Sequence, residues 1–295
     1  MLWDLSHSLR VSGEETYDLV LLNTPIPEEH AAIFQLLWNH ARYRIAADGG
    51  ANRLFQFMQT HEEELKLPSL ICGDLDSIKS HVRASFEAKG VDVQRFPSQY
   101  STDLQKAIQA LEEREGSRPL ELIIFGGLTG RLDQSAHTLH VLWQLSPGTL
   151  IDGMVVPPAE GDECKDGRVR RRARTLVVSD GCITCLLDAG SHTLQHDRRV
   201  LGKSCGILPL GVATAHVHTT GLEWNLRMYL VQISLTTDGE TSTLGGFLST
   251  SNHLAHDNGD GVVTITTDVP VYWTVELQTD DVLDTAWLHG HKHRA

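Results

Sequence analysis

The sequence lacks features that would place the protein in a membrane, outside the cell or on nucleic acid. No stretch approaches the roughly 18 consecutive apolar residues of a membrane span, and Met1 to Gly13 does not have the pattern of a secretory signal. The five cysteines are odd in number and scattered, which favours a reducing compartment over a disulfide framework. Basic residues are also in deficit. The formal net charge of −13 makes nucleic acid and anionic membranes poor partners. We therefore expect a cytoplasmic globular protein.

Two local patterns suggest metal or redox chemistry but lack the residues to complete it. Cys182 and Cys185 have the C-x-x-C spacing. Zinc would need a second such pair, and redox chemistry would need a helix start after a strand. We interpret these cysteines as structural residues of a strand. The histidine-containing tail, His289 to His293, is interpreted as a frayed end.

Apolar strands alternate with amphipathic helical patterns up to about residue 180. The runs typical of buried strands are 17–22, 43–47, 70–72, 91–95, 120–125 and 175–179. Apolar residues at helical spacing recur at 34–41, 78–86, 104–111 and 133–145, and Thr102-Asp103-Leu104-Gln105 forms a capping box. Strands separated by helices predict β-α-β units and a mainly parallel sheet covered on both faces. The sequence therefore predicts an N-terminal α/β sandwich of Rossmann-like type over residues 1–180.

The pattern changes after Asp180. Short alternating runs at 184–187, 212–219, 228–235 and 262–267 are separated by Gly, Asp and Asn turns, and long helical patterns disappear. This arrangement predicts a C-terminal antiparallel β-sandwich over residues 181–295. A basic inserted segment at about 155–174 precedes the last strand of the first domain. It contains five arginines and little apolar content, so we interpret it as a surface loop, with a contact site for an acidic partner as the alternative.

Four aspartates follow predicted strands or start a predicted helix: Asp48, Asp74, Asp76 and Asp103. The carboxyl ends of parallel strands share one rim, so these side chains can converge. If the chain stays extended beyond Gly73, the strand period turns Asp74 and Asp76 the same way. Converging carboxylates repel unless a cation compensates, and Mg²⁺ binds one or two carboxylates together with substrate phosphates. The set predicts a magnesium site. The alternative for each acid alone is an ordinary turn or cap residue.

Small and basic residues near the same rim suit a phosphate. Gly49 and Gly127 lie in glycine pairs at strand ends, where backbone N–H groups can approach a phosphate, although neither pair matches a P-loop or dinucleotide-binding pattern. Arg131 offers a forked cation just before a helix that presents Asp133. Lys106, one turn into the preceding helix, can reach the same place. The alternative for Lys106 is a solvated helix lysine.

Together these segments resemble the thiamine pyrophosphokinases, and the animal-type enzyme in particular. The resemblance covers about Asp18 to Leu277 and rests on seven segments in the family's order. They are DGGANRL at 48–54, GDLDS at 73–77, STDLQKA at 101–107, GGLTGRLDQ at 126–134, CGILPLG at 205–211, TTGLEWNL at 219–226 and LSTSN at 248–252. The inserted segment and the tail after Leu277 are longer than the family usually shows.

The resemblance implies an activity, a fold and an assembly. The family transfers the terminal diphosphate of ATP to the hydroxyethyl group of thiamine, giving thiamine diphosphate and AMP. Its members combine an α/β nucleotide-binding catalytic domain with a thiamine-binding β-sandwich. They are homodimers whose active site lies between the α/β domain of one chain and the sandwich of the other. The family thus implies that this protein binds thiamine and ATP and uses Mg²⁺.

The resemblance also assigns roles to residues. The implied magnesium ligands are Asp74, Asp76 and Asp103. The implied catalytic set adds Arg131 and Asp133 at the transferring phosphates. The implied nucleotide and cofactor contacts are Asp48, Gly49, Asn52, Gln99, Lys106, Gly127 and Arg131. The implied thiamine contacts are Gln99, Asp133, Trp224, Asn225, Ser249, Ser251 and Asn252.

The residue types suit this chemistry. The cationic thiazolium of thiamine favours the face of an aromatic ring, which Trp224 of the partner chain would supply, although Trp224 as plain sandwich core is the alternative. Ser249 and Ser251, two apart on a strand, are expected to share a face and hydrogen-bond the aminopyrimidine. Either Asp103 or Asp133 is expected to accept or orient the hydroxyl proton.

Two rival functions remain at the level of sequence. The first is a metal-dependent phosphoesterase, because Gly-Asp-x-Asp also serves two-metal hydrolases. Such sites usually include histidine ligands, and His81 is the one histidine within a few residues of the four aspartates. The second is a non-catalytic thiamine-binding or nucleotide-binding protein, which the complete set of acids makes a weaker interpretation.

Overall fold

The computed structural model describes residues 1–5, 17–61, 65–115, 121–146, 174–226, 241–242, 248–255 and 261–282. The predicted strand at 228–235, the C-terminal histidines and all but the last residue of the inserted segment lie outside these ranges. The chain divides into two compact units, Val11–Asp180 and a second unit made of Met1–Arg10 with Gly181–Ala295. Within the described ranges, no helix is both long and apolar enough to cross a membrane.

The elements follow in chain order. The helices are α1 (Ala31–His40), α2 (Gly50–Thr60), α3 (Ser80–Ala88), α4 (Asp103–Glu115) and α5 (Leu132–Leu145). The strands are β1 (Leu2–Asp4), β2 (Tyr17–Leu21), β3 (Arg44–Ala47), β4 (Leu70–Gly73), β5 (Val93–Arg95), β6 (Glu121–Phe125), β7 (Thr175–Ser179), β8 (Cys182–Leu187), β9 (Gly190–Gln195), β10 (Leu201–Leu208), β11 (Ala215–Thr220), β12 (Thr241–Ser242), β13 (Ser249–His253), β14 (Val262–Thr267) and β15 (Val271–Leu277).

The first unit contains a parallel sheet in the order β7-β6-β2-β3-β4-β5. Its central strands are buried throughout, which is why they read as continuous apolar runs in the sequence. Helix α4 packs against β2, β3 and β4. Helix α2 is an element that the sequence reasoning did not predict, although its buried residues Ala51, Leu54 and Phe57 recur at helical spacing.

The second unit is built from antiparallel pairs, as the alternating runs predict. One set of strands has the order β13-β10-β15-β8, and another has the order β1-β9-β14-β11-β12. Trp273 and Ile265 are fully buried in these strands and belong to the core of this unit. Cys182 and Cys185 lie in β8, paired with β15, so their interpretation as residues of a strand is confirmed. The predicted combination of an α/β domain and an antiparallel β-sandwich is confirmed.

The first residues of the chain do not belong to the α/β domain, so the predicted range of 1–180 needs a correction at its start. Strand β1 pairs in parallel with β9 of the second unit, with Trp3 opposite Leu194. The indole Nε1 of Trp3 also donates a hydrogen bond of 3.0 Å to Nδ1 of His192. A three-residue strand has too little periodicity to reveal its partner, so only the tertiary structure shows this pairing.

A buried histidine should make the stability of the second unit depend on pH. Burial lowers the pKa of His196 to about 4, and its ring packs edge-on against Trp273. The unfolded chain, with a histidine pKa of about 6.5, binds one more proton between these two values. The stabilisation by neutral His196 is therefore complete above about pH 6.5 and is lost as the pH falls towards 4. We expect wild-type unfolding free energy to be about 2.5 kcal/mol lower at pH 4.5 than at pH 7.5 from this group alone.

Urea titrations at the two pH values measure this difference. The His196→Gln variant, which cannot titrate here, should show a smaller pH dependence by about the same amount. An unchanged pH dependence in the variant would mean that His196 is not the group responsible.

Candidate active site

Three aspartates meet at the carboxyl edge of the parallel sheet. Asp48 directly follows β3, Asp74 directly follows β4, and Asp103 is the first residue of α4. Each offers a carboxylate oxygen, and these oxygens all lie within 4.8 Å of one another. Parallel strands end at a common rim, so residues distant in sequence come together there. The predicted convergence is therefore found for these three residues, which we call the acid cluster.

Asp48 holds the loop that carries Asp74. Its side chain is buried, and its two carboxylate oxygens accept hydrogen bonds of 3.0 Å from the backbone N–H groups of Ser77 and Ile78. Burial raises the pKa of Asp48 despite these two donors, and the charges of Asp103 and Asp74 add to the rise. Because both of its oxygens are already engaged, Asp48 acts as a support for the loop from 74 to 78.

Lys106 supplies the positive charge of the acid cluster. Its side chain is 3% exposed, and its Nζ lies 3.4 Å from Oδ2 of Asp74 and 3.4 Å from Oδ1 of Asp103. The alternative of a solvated helix lysine is therefore wrong. Burial alone would raise the pKa of Asp74, but the N–H of Asp76 and the charge of Lys106 outweigh it and lower the pKa. Burial raises the pKa of Asp103, and Lys106 only partly opposes this.

The structure does not bring Asp76 into the acid cluster. The chain bends after Asp74, because Leu75 adopts a left-handed conformation with φ of 64°, so the expectation of an extended segment is wrong. Asp76 is exposed, and its carboxylate accepts a hydrogen bond of 2.8 Å from Oγ of Ser77. Its backbone N–H, at 3.3 Å from Oδ1 of Asp74, helps to orient that neighbour.

Gly73 leaves the space in which the acid cluster forms. Its φ is +153°, and a Cβ added there would lie 2.7 Å from Cβ of Asp48 and 2.9 Å from Oδ1 of Asp103. Gly90 offers a matched control, because it also has a positive φ of +81° but has nothing within 4 Å of the added Cβ. The two glycines thus separate backbone strain from collision with the acid cluster.

We expect Gly73→Ala to lower the free energy of unfolding by about 2–3 kcal/mol, against about 1 kcal/mol for Gly90→Ala. Only the first variant should also lose activity, since the collision displaces Asp48 or Asp103. Thermal unfolding and turnover measured on both variants test this. Equal losses of stability and activity in the two variants would show that the space beside Gly73 does not matter.

Two further residues of the sequence prediction contact this loop. Asn52 donates a hydrogen bond of 2.9 Å to the carbonyl of Ser77 and accepts one of 3.0 Å from the N–H of Lys79, so it supports the loop from the side opposite Asp48's oxygens. Nε2 of Gln99 lies 3.4 Å from Oδ2 of Asp74, and the side chain of Gln99 is exposed. Gln99 is thus at the edge of the acid cluster, with room for another partner.

The glycine pairs do not form an open phosphate cradle at both strand ends. The N–H of Gly126 is bonded to the carbonyl of Val178 at 2.8 Å, and that of Gly127 to Oγ1 of Thr24 at 3.1 Å. These two donors are already used. Gly127 has a φ of +93°, and a Cβ there would lie 2.7 Å from Oγ1 of Thr138, so its role is local packing. At Gly49 a Cβ would collide with the side chain of Asn23.

Arg131 and Asp133 lie at the start of α5 and bind each other. Nε and Nη2 of Arg131 donate hydrogen bonds of 3.1 and 2.5 Å to the two oxygens of Asp133. The hydrogen bonds from Arg131 lower the pKa of Asp133. Both side chains are largely exposed, so this forked pair can open to meet a ligand.

Trp224 in the second unit is a surface residue, so its interpretation as plain sandwich core is wrong. Its side chain is 54% exposed, and the ring lies at 5.1 Å, centroid to centroid, from the ring of His253. The buried amide of Asn252 holds the backbone of Trp224 on both sides, because its Oδ1 accepts from the N–H at 3.2 Å and its Nδ2 donates to the carbonyl at 2.8 Å. Asn252 is therefore placed to position Trp224.

The other sequence-predicted thiamine contacts surround this tryptophan, but not as expected. A β-bulge in the pairing of β10 with β13, and the left-handed φ of 56° at Ser251, break the strand alternation. Ser249 is consequently buried and bonded to Asn252, whereas Ser251 is exposed. The expectation that the two serines share a face is wrong. Asn225 is exposed but uses its Oδ1 to accept the N–H of Leu222 at 3.1 Å.

One contact near the site was missed in the sequence. Nε2 of His137, on α5, lies 2.7 Å from Oγ1 of Thr102, the residue immediately before α4. The two residues are 35 positions apart and belong to different helices, and no local spacing pattern predicts such a contact.

Comparisons with known proteins agree with this combination of units. Residues 34–150 match the family model of the thiamin pyrophosphokinase catalytic domain, and residues 191–272 match that of the thiamin pyrophosphokinase vitamin B1 binding domain. Among curated proteins, thiamine pyrophosphokinase 3 of Oryza sativa subsp. japonica is 31% identical over 89% of this chain and 87% of its own length. Thiamine pyrophosphokinase 1 of the same organism is 30% identical over 89% and 88%.

The solved structure of yeast thiamin pyrophosphokinase has the same fold. It superposes with a TM-score of 0.71, covers 94% of this chain and 90% of its own, and is 22% identical in sequence. The family models together span most of the chain and place its two matched regions in the family's order. The chain therefore belongs to the thiamine pyrophosphokinase family, a family of diphosphotransferases.

Proposed function

We propose that the protein is a magnesium-dependent thiamine diphosphokinase. In the proposed reaction the hydroxyethyl oxygen of thiamine forms a bond to the β-phosphorus of ATP, the bond from that phosphorus to the α,β-bridging oxygen breaks, and AMP leaves. The hydroxyl proton passes to a base. The observation that supports this most is the acid cluster, in which three carboxylates and one buried ammonium meet at the rim of a parallel sheet.

The residues present fit a magnesium ion. All three acids offer oxygen ligands, which Mg²⁺ prefers, and their ligand atoms are within 4.8 Å of one another. Asp48 already accepts two backbone hydrogen bonds, so we assign the direct contacts to Asp74 and Asp103. Asp76 is kept as a proposed ligand of lower weight because its carboxylate lies outside the acid cluster. A bound magnesium would neutralise charge on the transferring phosphates.

The chain's own cations complete the neutralisation. Lys106 is held between two carboxylates, so its ammonium is fixed in position before substrate arrives and needs no reorganisation. Arg131 is exposed and forked, which suits two oxygens of a phosphate, and binding one would require it to release Asp133. Phosphoryl transfer depends mostly on such positioning and charge neutralisation.

The proton acceptor is one of two carboxylates. The hydrogen bonds from Arg131 lower the pKa of Asp133, whereas burial raises that of Asp103. A carboxylate with a higher pKa is the better base, which favours Asp103. We assign to Asp133 the orientation of the hydroxyl group, in the position that opens when Arg131 turns to a phosphate.

The thiamine site is proposed on the second unit, around Trp224. The exposed indole presents a ring face to the cationic thiazolium, and the buried amide of Asn252 fixes the indole's backbone. By the family resemblance, this tryptophan serves the acid cluster of a second chain, so the active form would be a homodimer in the cytoplasm. Sedimentation equilibrium tests the dimer, and cell fractionation tests the location.

Release of AMP from ATP with and without thiamine tests the proposed function. Strictly thiamine-dependent AMP, in equal amount with thiamine diphosphate, is the expected result. Thiamine-independent release of phosphate would instead support the phosphoesterase, and binding of thiamine without turnover would support the non-catalytic binding protein. Omission of magnesium, with a chelator present, should abolish turnover.

A further inference from the structure

Helices α4 and α5 are joined by a short hydrogen bond at the edge of the acid cluster. Nε2 of His137 lies 2.7 Å from Oγ1 of Thr102. Thr102 also forms the capping box of α4, since its N–H donates to Oε1 of Gln105 at 3.0 Å and its Oγ1 accepts from the N–H of Gln105 at 3.4 Å. The Thr102 hydroxyl can therefore accept from the cap and donate its own hydrogen to the imidazole.

The imidazole is suited to the acceptor role. His137 is partly buried, and burial, together with the nearby His140, lowers its pKa, so the ring is neutral at neutral pH. A neutral ring has one nitrogen acceptor, and its short distance to Thr102 assigns that acceptor to Nε2. A second, longer contact of 3.3 Å from Nε2 of Gln105 to Oε1 of Gln144 joins the same two helices.

The two helices carry different halves of the proposed site. Helix α4 begins with Asp103 and carries Lys106 one turn later, whereas α5 begins beside Arg131 and carries Asp133 in its first turn. Thr102 directly precedes Asp103, and His137 lies one turn after Asp133. A hydrogen bond between Thr102 and His137 therefore sets the distance between the carboxylate half and the arginine half.

We propose that His137 is a positioning residue, which holds the start of α4 against α5 and so keeps Asp103 and Lys106 in register with the Arg131–Asp133 pair. This inference rests on the proposed function, because the two halves must act on one triphosphate. Without the bond, the start of α4 gains freedom, and the ligands of the metal are less well arranged before it binds.

Three variants test the role. His137→Leu removes the acceptor, His137→Gln retains an acceptor oxygen, and His140→Leu is the matched control, since no hydrogen bond of His140 to α4 is found in the described part of the chain. His137→Leu should raise the magnesium concentration for half-maximal activity about fivefold and lower kcat by a similar factor, with the KM for thiamine changed less than about twofold. His137→Gln should recover most of the loss, and His140→Leu should behave as wild type.

A measurement without turnover makes the test independent of the assay. Mn²⁺ binding, followed by electron paramagnetic resonance, should weaken about fivefold in His137→Leu and remain unchanged in His140→Leu. Thr102→Val should weaken it to a similar degree, and the double variant should be no worse than either single one, because both remove the same bond.

The outcomes separate this inference from the proposed function. If wild-type protein makes no thiamine diphosphate, the proposed function fails, and the Mn²⁺ measurement still decides the role of His137. If wild type is active but His137→Leu keeps normal kcat and normal metal dependence, the positioning role is wrong. Additive losses in the Thr102 and His137 double variant, or a folded His137→Gln as impaired as His137→Leu, would also overturn it.

Discussion

Asp74→Asn should lower kcat by a factor on the order of 10²–10³ while the protein remains folded. An amide is a poor ligand for magnesium, and the substitution also removes one of the two carboxylates that hold Lys106. The side chain of Asp74 is 18% exposed and lies in a loop, so an isosteric amide should move the melting temperature by only a few degrees. Steady-state kinetics over a range of magnesium concentrations, with thermal unfolding, measure both effects.

Asp76→Asn is the matched control for this experiment. It lies two residues away in the same bend, but its carboxylate is exposed and outside the acid cluster. We expect less than a tenfold loss of kcat, well below that of Asp74→Asn. Near-normal turnover of Asp74→Asn at saturating magnesium would contradict the metal assignment. An equally large loss in Asp76→Asn would show that Asp76 enters the site when the metal binds.

Trp224→Ala should raise the KM for thiamine about 30-fold and leave the KM for ATP nearly unchanged. A desolvated cation–π contact with a tryptophan ring is worth about 2 kcal/mol, which corresponds to that factor. Because Trp224 is 54% exposed, its removal should cost less than about 1 kcal/mol of stability. Kinetics with each substrate varied in turn separate the two KM values.

Two companion variants sharpen this prediction. Trp224→Phe keeps an aromatic face and should recover much of the affinity for thiamine. Asn252→Ala removes the two hydrogen bonds to the backbone of Trp224, so it should impair thiamine binding without touching the ligand. A rise of the same size in both KM values for Trp224→Ala would make the residue a packing element of its unit.

Much of the fold follows from local patterns that any chain must satisfy. Buried parallel strands read as apolar runs, and the helices between them repeat their apolar residues at helical spacing, so β2, β3, β6 and β7 lie within a residue of their predicted ranges. The capping box at Thr102 is also formed as predicted. The short β1 and the helix α2 were not predicted, because the first is too short to show a period and the second has a mixed sequence.

The candidate site was predictable only down to the backbone. Strand order places Asp48, Asp74 and Asp103 at one rim, because parallel strands end at the same edge. It does not determine which acid joins the cluster. That depends on the left-handed turn at Leu75, which directs Asp76 to the surface.

The sequence by itself determined the two-part fold, the family and the residue types gathered at the sheet edge, since periodicity and motif order depend on neighbouring residues. The tertiary structure alone decided the roles within that set: Asp48 as a buried support, Lys106 as an enclosed counter-charge, Ser249 and Ser251 on different faces, and His137 against Thr102. Each of these roles depends on burial or on a hydrogen bond between residues far apart in the chain, and such contacts exist only after the elements have packed.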